Sequence, residues 1–124
     1  MDVTDIEGLA LEPHKPQILS TNDAARVVAI SLPAGEEMQT HEVHEHAWVV
    51  VVAGAVEIQA GGRSDSGGPG YLFKFEPREP HRVAASEDTR LLLFLAPWPG
   101  KGHPGAMTLE EKGHAREQAR DHRP

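Results

Sequence analysis

The sequence predicts an all-β domain, a sandwich or barrel, and three observations carry that expectation. Short apolar runs recur at roughly eight-to-twelve-residue spacing with Gly/Pro turn signals between them. No long helical period appears before residue 106, which argues against an α/β architecture. One run, AWVVVVA (47–53), is apolar on both parities, as a strand covered on both faces would be.

The elements follow in order. Residues 1–16 are acidic and punctuated by Pro13 and Pro16, and read as an irregular arm within an N-terminal segment, 1–25. RVVAISL (26–32) is the first strand, stopped by Pro33-Ala34-Gly35. A histidine-rich segment leads into AWVVVVA, which Gly54 breaks. AVEIQA (55–60) then alternates, with Val56 and Ile58 on one face and Glu57 and Gln59 on the other. GGRSDSGGPG (61–70) reads as a flexible loop, YLFKFE (71–76) as a strand and PREP (77–80) as a turn. HRVAA (81–85) and RLLLFLA (90–96) flank the polar turn SEDT and complete a barrel over 26–96. From Pro97 to residue 124 a Pro-rich connector passes into a polar tail, read as a short helix or as disordered.

Composition bounds the function. A chain of 124 residues suits one domain with one core. A net charge of −7 without a basic patch argues against nucleic acid or an anionic membrane as partner. There is no cysteine, so any metal would be held by imidazole and carboxylate. The N-terminus reads as neither signal peptide nor membrane span, which places the protein in the cytoplasm. The second apolar face of AWVVVVA needs a cover, either the N-terminal arm or a second subunit, and a homodimer is the expectation.

The chemistry-bearing feature is histidine. His41, His44 and His46 fall in THEVHEH, at the mouth of the AWVVVVA strand, and His81 follows in EPREPHRV. A buried imidazole must find a partner, so a group of them in a β-domain points to a metal site. Glu42 and Glu45 alternate with these histidines and read as solvated neighbours. Glu79 reads as a rim residue whose carboxylate would orient the His81 ring. Tyr71, Phe73, Phe75, Phe94 and Trp98 read as core, with Trp98 alternatively a lid over the barrel mouth. His14, His103, His114 and His122 read as solvent-facing.

Two spaced motifs carry a family resemblance. Gly35, five residues, His41-Glu42-Val43, three residues, Ala47, six residues and Gly54 follow one pattern: Gly, five residues, His-x-His, three or four residues, Glu, six residues, Gly. Val43 stands at the second histidine position and Ala47 at the glutamate position. The second pattern is Gly, five residues, Pro-x-Gly, two residues, His, three residues, Asn. Here Gly70 and His81 keep the separation, Pro77 falls one place late, Glu79 follows where a glycine would, and Ala85 replaces the asparagine. Over residues 26–96 the chain resembles the cupins, double-stranded β-helix (jelly-roll) barrels.

The resemblance implies a divalent transition metal inside the barrel. Position by position it transfers only His41 and His81, and His44 and His46 are the replacements available for the missing ligands. All three clustered histidines would face one site only if a bulge or bend falls between 41 and 46. Imidazole ligation suits zinc, iron, nickel or copper. The implied activity is dioxygenase- or isomerase-like chemistry on a small organic molecule. The alternative is a non-catalytic module that binds or senses a small ligand.

Overall fold

A computed structural model describes residues 1–104, the side chains of residues 39–41 apart. The tail read as helical or disordered therefore lies mostly outside the described residues. Among the described residues nine strands form: β1 (Gln17–Thr21), β2 (Arg26–Leu32), β3 (Glu37–His41), β4 (His46–Ala53), β5 (Val56–Ala60), β6 (Arg63–Gly67), β7 (Leu72–Phe75), β8 (His81–Ala85) and β9 (Thr89–Ala96). They make a five-stranded sheet in the order β1-β2-β9-β4-β7 and a four-stranded sheet in the order β3-β8-β5-β6. All strand pairs are antiparallel. Among the described residues there is no α-helix, and none long and apolar enough to cross a membrane. The all-β jelly roll expected from the sequence is the fold observed.

Alternation builds the core. Val28, Ile30 and Leu32 of β2, Val49 and Val51 of β4, and Leu91 and Leu95 of β9 point inward from the larger sheet. Val56 and Ile58 of β5 and Val83 and Ala85 of β8 meet them from the smaller one. Each large aliphatic chain buried this way contributes about 1.5–3 kcal/mol. In β4 the opposite parity, His46, Trp48 and Val50, is half-buried on the outer face. The N-terminal arm reaches that sheet at β2 and β9. The His14 N–H donates to Ser31 O at 3.0 Å, and Arg90 Nη1 donates to Ile6 O at 2.8 Å.

Two segments differ from the sequence reading. Residues 63–67, read as loop, form edge strand β6, paired with β5 from Ala60↔Arg63 to Val56↔Gly67. The cause is Gly61-Gly62: both have positive φ (58° and 77°), the requirement for a two-residue hairpin turn matched to strand twist. Residues 17–21, inside the segment read as arm, form edge strand β1 on β2.

The histidine-rich segment is where the chain changes sheet. β3 belongs to the smaller sheet and β4 to the larger, so residues 42–45 form a corner between them. The bulge lies earlier, between Met38 and His41, and after it His41 pairs with His81 of β8.

The corner cleft and the barrel interior as candidate sites

His81 starts β8 and is buried at 3 % exposure. Its ring stacks on Phe75 of β7, with centroids 4.1 Å apart and planes 12° from parallel. Its Nδ1 lies 3.1 Å from the Glu79 carbonyl oxygen. A carbonyl only accepts, so Nδ1 carries the proton in this contact, which fixes the tautomer. The Glu79 carboxylate, read as the group that orients the ring, instead accepts the Glu76 N–H at 3.0 Å. Around His81 the interior is apolar: Phe75 pairs with Ala47, both buried, and Val43 packs on the core.

His44 and His46 lie elsewhere. With Pro77, Arg78, Pro97, Lys101 and Gly102 they line an open cleft of about 710 Å³ at the β3–β4 corner. His46 shares the outer face of β4 with Trp48, their rings 6.1 Å apart. Its Nδ1 lies 3.2 Å from Glu76 Oε2 but off the line of a hydrogen bond. His44 Nδ1 is buried without a hydrogen-bond partner among the described residues.

A strap over residues 97–104 closes one side of the cleft, and Glu45 anchors it. Glu45, read as a solvated neighbour, is buried at 1 % exposure, and its Oε2 accepts the Gly100 N–H at 2.6 Å. Parity hid it, because the alternation rule applies within strands and Glu45 sits on the corner between them. The strap approaches so closely that a Cβ at Gly100 would lie 2.3 Å from His44 O. His103, read as solvent-facing, packs edge-on against Trp98 (4.7 Å) and His44 (5.6 Å). Arg26 lies over the Trp98 ring, 3.9 Å from its centre. Trp98 thus packs against the core and also belongs to the strap. Tyr71, read as core, is 56 % exposed.

Arg78 supplies the opposite wall. Its N–H donates to Val43 O at 2.7 Å, tying it to the corner, and its φ is +63°. Counted strictly from Gly70, residue 78 is the glycine position of the second motif. An arginine therefore holds a left-handed backbone that glycine adopts freely, at a cost of about 1–3 kcal/mol. Nearby, a side-chain hydrogen bond from Lys74 chiefly, then its charge, with His46 contributing less, lowers the Glu76 carboxyl below its ordinary range. Sequence reasoning missed Arg78 and Lys101 and misread Glu45; the one available signal was arginine at a motif glycine.

These positions also test a metal. Among the described residues no group of three or more His, Asp or Glu is arranged to hold one. Two of the four motif ligand positions, Val43 and Ala47, are apolar and belong to the core or pack on it, and Phe75 stacks on His81. Two imidazoles are too few for a divalent transition metal, which takes three or four protein ligands. The described residues do not fit a metal centre of that kind.

No curated protein of known annotation matches the chain. Solved structures do match its fold. A cupin resembling RmlC from Desulfovibrio desulfuricans superposes with a TM-score of 0.69 at 20% identity, over 78% of this chain and 96% of its own. A conserved protein of unknown function from Streptococcus pyogenes gives 0.65 at 21%, over 77% and 86%. KdgF from a Halomonas species gives 0.62 at 23%, over 66% and 76%. The family model described as the cupin domain matches residues 28–96, the whole run from β2 to β9 but for two residues at its start, and the chain belongs to the cupin family.

Proposed function

We propose that this cupin is a small-ligand-binding module whose ligand occupies the corner cleft. One observation carries the reading: His44 lines the cleft, and its Nδ1 is buried with no hydrogen-bond partner among the described residues. An unsatisfied buried polar atom costs about 1–3 kcal/mol, which a ligand group hydrogen-bonded to it recovers. The cleft volume, about 710 Å³, falls in the range of small-molecule sites. Thermal unfolding against a panel of organic acids, sugar phosphates, nucleosides and amines tests this. Compounds that raise the Tm of the native chain are expected to lose most of that effect on His44→Phe. Hits indifferent to His44, or a panel without hits, would overturn it.

A second reading keeps a divalent transition metal (zinc, iron, nickel or copper), with His41 and His81 as its first ligands and oxygenase- or isomerase-like chemistry as its use. What favours it is the β3–β8 register of His41 with His81 and the tie of His81 Nδ1 to a carbonyl, which ligating histidines commonly show. Elemental analysis of untagged protein purified without chelator decides. The expected result is sub-stoichiometric metal; a stoichiometric metal lost in His41→Ala/His81→Ala would establish the second reading instead.

We also propose that a second copy covers the outer face of the larger sheet. There Leu72, 60 % exposed on edge strand β7, pairs with Val50 beside Trp48. Light scattering is expected to give twice the 13.5 kDa chain mass, falling to the monomer in Leu72→Lys. A monomeric native chain would end this proposal.

A further inference from the structure

We propose that the corner cleft is an oxyanion site, taking a small molecule that bears a carboxylate or a phosphate. The inference rests on the cleft being the binding site and adds the chemical class of its ligand.

Charge pairing singles the cleft out. The chain carries 19 carboxylate residues against 12 lysines and arginines, so most cations have an anion to meet. Among the described residues, Lys15, Arg63, Lys74 and Arg82 are paired with carboxylates. Arg90 donates to the Ile6 carbonyl and Arg26 lies over Trp98. Among the described residues Arg78 and Lys101 alone have no such partner, and both line the same cleft. Two unpaired cations lining one cleft repel each other until an anion lies between them.

The geometry around them suits an oxyanion. A guanidinium presents a planar fork of donors that matches carboxylate and phosphate oxygens, while an ammonium adds a point charge. A methyl group at Gly102 would sit 2.7 Å from Arg78 Nη2 and 3.6 Å from His44 Nδ1. Glycine there lets the strap pass while both nitrogens stay close to it. With Nδ1 protonated, His44 donates to the same anion. Two carboxylates that touch the strap or the cleft histidines are engaged elsewhere: Glu45 holds Gly100 N–H, and Glu76 meets Lys74 and His46. Arg78 also keeps its left-handed backbone at a motif glycine, as a residue retained for its side chain would.

The test is calorimetric titration of the full chain with inorganic phosphate and with citrate, at ionic strength matched by chloride. Saturable binding of either is expected, and the tighter of the two identifies the source of the oxyanion. Arg78→Gly and Lys101→Ala are each expected to weaken it tenfold or more. Arg78→Gly relieves the backbone strain, so its unliganded Tm should not fall, and loss of binding cannot then be ascribed to unfolding. Lys15→Ala removes the same charge outside the cleft and is expected to bind as the native chain does. No binding beyond the chloride control, or binding that survives both cleft substitutions, would overturn the oxyanion. If neutral panel compounds then still depend on His44, the cleft remains the binding site and only its ligand class falls.

Discussion

Phe75→Ala is expected to destabilise the protein by about 3–5 kcal/mol, the range for removing a buried aromatic ring. Phe75 is 3 % exposed, pairs with Ala47 and covers one face of the buried His81 ring. Removing it opens a cavity beside an imidazole, and water entering there would hydrate a ring now held against carbon. Phe75→Leu retains most of the volume without the flat stacking surface and is expected to cost less than about 1.5 kcal/mol. Urea unfolding of the two variants measures the difference. A loss below 1 kcal/mol in Phe75→Ala would mean that the stack contributes nothing and that the barrel collapses freely around His81.

The second large effect is expected at Gly100. A Cβ there would lie 2.3 Å from His44 O and 2.7 Å from Glu45 Oε2, one of them backbone and the other a buried carboxylate. Neither moves cheaply, so Gly100→Ala is expected to dislodge the strap and cost about 1–3 kcal/mol, the usual range for overpacking. Trp98 reports it directly, because leaving Arg26 and His103 for water shifts its emission to the red. Glu45→Gln keeps the shape and exchanges a charge-assisted hydrogen bond for a neutral one, so a smaller loss of roughly 1 kcal/mol is expected. An unchanged emission in Gly100→Ala would show that the strap does not dock on the corner.

The barrel was legible because its evidence is repetitive. Val28, Ile30 and Leu32, or Val49 and Val51, state the same alternation several times over, and most of the turns carry glycine or proline. Strand β6 escaped because RSDSG is polar throughout and exposed along most of its length, so its pairing leaves no trace in hydropathy. The Gly61-Gly62 turn was its only announcement. The site was legible only in part. His44, His46 and His81 were singled out, but residue spacing within THEVHEH does not say that the chain changes sheets between 41 and 46. That crossing separates His46 on the outer face of one sheet from His81 inside the barrel. Arg78 and Lys101, thirty residues and more downstream of the histidine cluster, meet it only through the turn before β8 and the strap after β9. Such proximity is a property of topology, and no local pattern records it.

The strap also fixes where the rest of the chain departs. β9 ends at Ala96, paired with His46, and the next eight residues run past His44 and Arg78 to Pro104. Twenty further residues follow in the sequence. A segment joined directly after the strap would be tethered beside Lys101 and Gly102, whereas the N-terminal arm reaches the barrel at β2 and β9. A histidine-rich purification tag joined directly after the strap would bring surplus imidazoles to the cleft entrance. Binding and metal measurements therefore belong on protein tagged at the other end, or on protein with no tag.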